Sequence, residues 1–405
     1  MSDNHMEHAA PEPLDPIKIS MGPRVVAAVA VLAGAGAFFY AFSGGHRELA
    51  WSAYLIGAFY ALGLGLFGVF WNAIINLSHA VWAVSMRRVP EAMTAYLLPG
   101  GILTLLVALG AHELYHWTDA EAVAGDALLQ HKAPFLNLNM LLALVGGSLL
   151  LWTVFAFAIV RNSRKQDETG KVAHTHKNIV LSAIFVVLAA LTLSIVSFYL
   201  LMSLEPHWFS TMYAVLIFTD VIQTGTAFVA LVVALLMVKG SFGAFVNENH
   251  LHSLTKMMFA ATGFWAYIYF CQFLLIWYAN IPEETIYFIT RYESGWLPYL
   301  LALPLLKWLI PFVILVPRDA KRKPRRVIPM AILILAAQFF ELYLLVSPAM
   351  GHGAHKAHAH LPWVEFLVTA GFFGLFFLIF AWSLGRNKPV PLKDPLMGAC
   401  LHYHQ

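Results

Sequence analysis

Three formal charges occur where neighbouring residues would exclude water: Asp220 in YAVLIFTDVIQTG, Lys307 in LPLLKWLIPF and Glu341 in ILAAQFFELYLL. An ionised side chain at the centre of a bilayer costs about 2.5–3.5 kcal/mol on insertion scales. Unpaired, the three together would cancel much of a folding free energy of about 5–15 kcal/mol. They must therefore face a protein interior and find partners there. Acids and bases in such positions hold fixed pairs or pass protons. Pairing Lys307 with one carboxyl leaves the other over, and that group is a candidate for a mobile proton. A fixed pair that holds the helices in register is the competing reading.

Helical spacing groups further polar residues with these charges. Tyr213, Asp220, Gln223 and Thr224 fall on one stripe, and Gln338 lies three residues before Glu341. Lys307 stands between Pro304 and Pro311, each of which withholds an amide donor and frees a carbonyl. Such breaks are tolerated at membrane depth where protein or water satisfies the freed groups. In FWNAIINLSHAVW, Asn72, Asn76 and His79 stand at i, i+4 and i+7, so His79 is a second candidate for proton transfer, or a histidine bonded to a neighbouring amide. His112, Glu113 and His116 cluster at the end of another apolar run. There they would line a quinol-head pocket or a proton exit, or form a solvated interfacial cluster.

The chain that must position these residues has 405 residues and is 60% hydrophobic and 12% charged, with a mean hydropathy of +0.70. A soluble domain is about half apolar and about a quarter charged, so this is an integral membrane protein in a lipid bilayer. The net charge of +3 gives no reason to expect nucleic acid. Its two cysteines, Cys271 and Cys400, lie in no metal or haem-attachment pattern, so no metal site and no covalently bound cofactor is expected. A b-type haem needs facing histidines at one depth. His79 is the one histidine read as inside a span, so haem is not expected. The loop GHGAHKAHAHLPW, with His352, His355, His358 and His360, is read as a segment that touches a partner rather than a metal centre.

The expected fold is all-α and polytopic, with about ten transmembrane helices near 24–43, 51–84, 92–111, 137–160, 177–203, 208–238, 255–281, 294–316, 327–347 and 362–385. Residues 1–23 and 386–405 are terminal segments, and the first apolar run reads as a retained helix rather than a signal peptide. Lysines and arginines divide about 20 to 4 between the two sets of connections. Arg87-Arg88, RNSRKQDETGK, Lys239, PRDAKRKPRR, Arg386 and Lys388 lie on one side. Arg47, Lys132, Arg291 and Lys356 lie on the other, among acids such as Glu113 and Glu283. The positive-inside rule places both termini in the cytoplasm, which an even number of spans requires.

Three stretches, EPHWFSTMYAVLIF, FWAYIYFCQFLLIWYANIPEET and the ending PLKDPLMGACLHYH, resemble the polysulfide-reductase membrane-subunit (NrfD-like) family, and within it the members that belong to bacterial alternative complex III. The resemblance covers nearly the whole chain. It implies two four-helix bundles, spans two to five (51–203) and six to nine (208–347), flanked by peripheral spans one (24–43) and ten (362–385). It also implies a complex of the bacterial cytoplasmic membrane that oxidises menaquinol. Iron–sulfur and c-haem subunits pass the electrons to cytochrome c or a terminal oxidase, and a sister NrfD-like subunit stands beside this one. In the sister the quinol lies near an iron–sulfur cluster, so for this chain the polar seam suits proton translocation better than quinol chemistry. A proton-coupled secondary transporter and a membrane anchor without proton conduction are the alternatives. The transporter should show helix breaks at matching positions of two repeats, and Pro304 and Pro311 have no clear counterpart.

The charge asymmetry makes a direct prediction. Single cysteines near Lys323 should react with a membrane-impermeant reagent only from the cytoplasm, and cysteines near His355 only from outside. The reverse pattern would overturn the assigned direction.

Overall fold

The computed structural model describes residues 14–350 and 358–404. His352 and His355 lie outside the described residues. Ten helices among the described residues are long and apolar enough to cross a membrane. They are α1 (Met21–Ser43), α2 (Arg47–Ser78), α3 (Arg88–Leu114), α4 (Leu138–Thr169), α5 (Ala173–Leu204), α6 (Met212–Val238), α7 (Glu248–Ala279), α8 (Leu297–Leu315), α9 (Pro324–Met350) and α10 (Trp363–Leu384). No β-strand occurs among the described residues. The chain is an all-α, multi-pass membrane protein, as its composition requires.

Where boundaries differ from the hydropathy reading, polar residues are the reason. α4 continues through Arg161–Thr169, whose side chains favour water but whose backbone stays helical until Gly170 caps it with φ 69°. α7 starts seven residues early because Asn247 caps it. The Asn247 side chain accepts from the His250 amide, and His250 Nδ1 accepts in return from the Asn247 amide at 3.1 Å. α2 stops at Ser78, short of the expected residue 84, and a short 3₁₀ segment Val81–Met86 follows.

The helices close into two rings. In one, α2, α3, α4 and α5 each pack on the next and α5 returns to α2; in the other, α6, α7, α8 and α9 do the same. The rings meet mainly at α2 and α6. There the Tyr60 hydroxyl donates to the Leu335 carbonyl of α9 at 3.0 Å, and Phe70 meets Phe218 edge-on. Between lipid-soluble helices association rests on close packing, which favours small residues at the contact. Gly225 of α6 is such a residue, since a Cβ there would stand 1.9 Å from Cγ of Phe67. α1 and α10 lie outside the rings. They approach each other at Gly34 and Gly371, where a Cβ on Gly34 would reach within 2.8 Å of the facing backbone.

The basic connections are built into the fold. Arg87 pairs with Asp394 of the tail, and Arg88 pairs with Glu91 and Asp167. The tail crosses to the second ring, where His250 bonds the Cys400 carbonyl and Tyr403 meets Ser253. Burial pushes the Cys400 thiol above its ordinary range.

Gly225→Ala should destabilise the protein by about 1–3 kcal/mol through overpacking against Phe67. A lower melting temperature of the purified chain in detergent would register it. Unchanged melting would mean the ring can move aside.

Candidate functional site

Lys307 is held by an irregular stretch of α8. Residues Leu305–Leu309 form a π turn between Pro304 and Pro311. Such single turns mark places where a helix is re-aimed, frequently at functional sites. Pro311 has no N–H to offer the Lys307 carbonyl four residues back. Gln223 of α6 supplies the missing donor, its Nε2 lying 2.8 Å from that carbonyl. The same amide lies 3.3 Å from Thr262 Oγ1 of α7. The proline break is thus satisfied by protein, as membrane burial demands.

Four helices converge on the ammonium. Asp220, Glu341 and Lys307 lie eight, nine and ten residues in from the ends of α6, α9 and α8 on the side away from the basic loops. At 1.5 Å per residue that is about 12–15 Å along each axis. Lys307 Nζ donates to Asp220 Oδ1 at 2.6 Å, to Gln338 Oε1 at 2.6 Å and to Glu341 Oε2. Thr224 also donates to Gln338 Oε1, at 2.9 Å. Trp265 of α7 donates its indole N–H to Glu341 Oε1 at 3.0 Å, and its ring face lies 4.8 Å from Nζ. All three charged groups are buried.

One ammonium therefore serves both carboxyls. This corrects the expectation that simple pairing leaves one of them over. The corrected arrangement still holds two acids to one base, and among the described residues Asp220 Oδ2 and Gln223 Oε1 have no hydrogen-bond partner. An ion set of this kind has spare accepting capacity at depth. Trp265 and Thr262 join the cluster without a signal in the sequence. Their three-residue spacing on α7 is visible there, but nothing in the stretch ATGFWAYIYF marks them as partners of a charge.

Small cavities touch the two acids. One of about 30 Å³ lies against Glu341 and is lined by Leu216, Tyr269, Gln272 and Tyr287. That exceeds the roughly 10–15 Å³ a water molecule needs. A tighter space beside Asp220 is lined by Phe59, Tyr60 and Leu342. Tyr287 also lines a cleft of about 450 Å³ on the side of α6 where Met212 begins, with His116, Asp126, Glu205, His207 and Trp208. Tyr287 thus stands between the open cleft and the cavity at Glu341. Its ring stacks on Trp208 at 4.3 Å, and the Arg291 guanidinium covers it at 3.4 Å while pairing with Glu205. Burial pushes the Tyr287 hydroxyl up to about 12, so it stays protonated at neutral pH. At the cleft rim His207 Nε2 lies 2.5 Å from Asp126. That bond, with the Leu129 and Leu128 amides, holds the Asp126 carboxyl below its ordinary range.

The remaining candidates fall elsewhere. His79 is exposed in the left-handed cap after α2, with φ 47°, not inside a span. Its i+7 register from Asn72 is lost because the helix ends first. Asn72 donates to the Gly68 carbonyl and Asn76 to Ser182 of α5. Among the described residues the buried histidines are His250 and His252, at the start of α7. His112 is exposed and Glu113 half-buried, while His116 lines the cleft; none of them reaches the charged cluster. His360 bonds Glu365 of α10 at 2.8 Å, and this bond raises its pKa. No group of three or more metal-ligating side chains converges among the described residues. No known protein-family profile matches the chain, and no curated protein is significantly similar to it.

Trp265→Phe keeps the ring face over Lys307 and removes the N–H given to Glu341. Stranding a buried acceptor costs about 1–3 kcal/mol, so melting in detergent should fall accordingly. No change would mean that Glu341 Oε1 finds another donor.

Proposed function

We propose that this chain is an integral membrane subunit of a quinol-oxidising respiratory complex of the alternative complex III type, and that its buried Asp220–Lys307–Glu341 cluster carries protons coupled to electron flow. In this reading it sits in the bacterial cytoplasmic membrane with both termini in the cytoplasm. Iron–sulfur and c-haem subunits and a sister membrane subunit supply the electron chemistry, with cytochrome c or a terminal oxidase as acceptor and menaquinol as substrate of the complex. This chain binds no covalent cofactor of its own. The sequence resemblance supports the identity of the complex. The observation that carries the proton role is one ammonium bonded to two carboxyls, with a water-sized cavity against one of them.

The chemistry expected of such a cluster is an exchange of partners. A proton arriving at Glu341 neutralises that carboxyl and leaves Lys307 paired with Asp220 alone. A proton on Asp220 leaves the ammonium with Glu341. Either singly protonated state balances one positive against one negative charge, so the two are close in electrostatic cost. Passage between them moves a net proton from one acid to the other while Lys307 remains an ammonium. The cleft at His116, Asp126 and His207 is then the exchange point with the outside, gated by Tyr287. His112 and Glu113 have no part in this route.

A fixed structural cluster makes a different prediction, because Glu341 still balances Lys307 when Asp220 is neutralised. For a relay, Asp220→Asn and Glu341→Gln should each leave the complex assembled and oxidising quinol, with protons translocated per electron strongly reduced. For a fixed cluster each single change should be silent. The double change should then strand Lys307 at a cost of about 3–5 kcal/mol and abolish assembly, with Lys307→Met restoring it. Reconstituted vesicles with a pH-sensitive dye and a quinol substrate measure both. Normal translocation by an assembled Asp220→Asn complex would remove Asp220 from the proton path.

A further inference from the structure

A second cleft, of about 570 Å³, opens on the basic side of the first ring, between α3, α4 and α10. We propose that it is a binding site for one anionic phospholipid of the surrounding bilayer. The site is separate from the charged cluster and does not rest on the proposed function.

Its two ends differ in chemistry. Ala95, Leu98, Ala156, Phe157 and Val160 form an apolar floor, and Arg161, Arg164 and Lys165 stand at the other end. On α4, Thr153, Ala156, Phe157, Val160, Arg161 and Arg164 share one face by their spacing of three and four. The polarity therefore changes along a single continuous stripe. The change occurs at a membrane boundary. Arg161 is 23 residues from the first residue of α4, about 35 Å along the helix, where the hydrocarbon core is about 30 Å thick. Trp382, two residues before the end of α10, lines the same level, as tryptophan does at lipid interfaces. Leu98 lies ten residues into α3, about 15 Å deeper, and is 59% exposed.

The cations are available. Among the described residues no ion pair includes Arg161, Arg164 or Lys165, although carboxylates stand nearby. Glu91 and Asp167 are held by Arg88, and Ser163 donates to Glu91 as well. Glu168 is the one further acid on the cleft, against three cations. A phosphodiester at this level would meet the guanidinium groups, which suit its geometry, while its acyl chains follow the apolar floor. Basic pockets between spanning helices hold anionic headgroups in this manner. A free phosphate would use the cations alone and leave the floor uncovered.

Native mass spectrometry of the delipidated full chain in detergent tests the assignment. The probes are dioleoyl phosphatidylglycerol, dioleoyl phosphatidylcholine and glycerol 3-phosphate. Phosphatidylglycerol should be retained as a single preferred adduct over phosphatidylcholine, and excess glycerol 3-phosphate should not displace it. Arg164→Gln with Lys165→Gln should weaken that adduct by about fivefold per cation and leave phosphatidylcholine binding unchanged. Lys323→Gln with Arg325→Gln, the same charge change elsewhere on the basic side, should leave it intact. Equal retention of both lipids, displacement by glycerol 3-phosphate, or equal loss in the control variant would each overturn the site. The comparison of the two lipids on the unaltered chain stands even if a variant fails to fold.

Discussion

An ammonium buried ten residues along its helix, about 15 Å at about 1.5 Å per residue, organises the second ring. Taking Lys307 out of water costs several kcal/mol unless geometry and hydrogen bonds repay it. The repayment comes from three helices at once. α6 gives Asp220, α9 gives Gln338 and Glu341, and α7 covers the group with Trp265. The π turn and the flanking prolines set Lys307 in the place where these meet. The carbonyl they free is satisfied by Gln223, from the same stripe as Asp220. Charge, helix break and helix contact are therefore one constraint.

Cavities stand beside both acids of this set. Among the described residues Asp220 Oδ2 is left without a hydrogen-bond partner, while both oxygens of Glu341 have donors. Beside Glu341, Leu216, Tyr269, Gln272 and Leu344 enclose a space that water can occupy. Tyr287 closes that space from the wide cleft. Its position depends on Trp208 and Arg291, so the polar corner Glu205-Pro206-His207-Trp208 reaches the charged cluster through packing rather than through direct bonds.

On the basic side, charge has a second use. Arg87 and Arg88 mark direction in the sequence, yet both are buried and paired in the fold. They tie α3 to α4 and to the tail, and the tail ties the first ring to the second. Arg161, Arg164 and Lys165, one helix away, are left facing outward beside an apolar groove. Net positive charge in these connections thus divides between buried pairs that hold helices together and exposed side chains.

The sequence by itself determined the ten spans, their approximate limits and the burial of Asp220, Lys307 and Glu341. Hydropathy over about 20 residues and the cost of an unpaired ion in lipid are local or thermodynamic constraints that need no coordinates. It also showed that Pro304 and Pro311 would free carbonyls. The tertiary structure alone decided which side chain answers them and that Lys307 bonds both acids, because partners 87 and 34 residues apart in sequence carry no local signal. It likewise removed His79 from the interior. The i, i+4, i+7 pattern presumes an unbroken helix, and α2 ends one residue before the histidine, in a left-handed cap whose next amide, Ala80, bonds back to the Ile75 carbonyl.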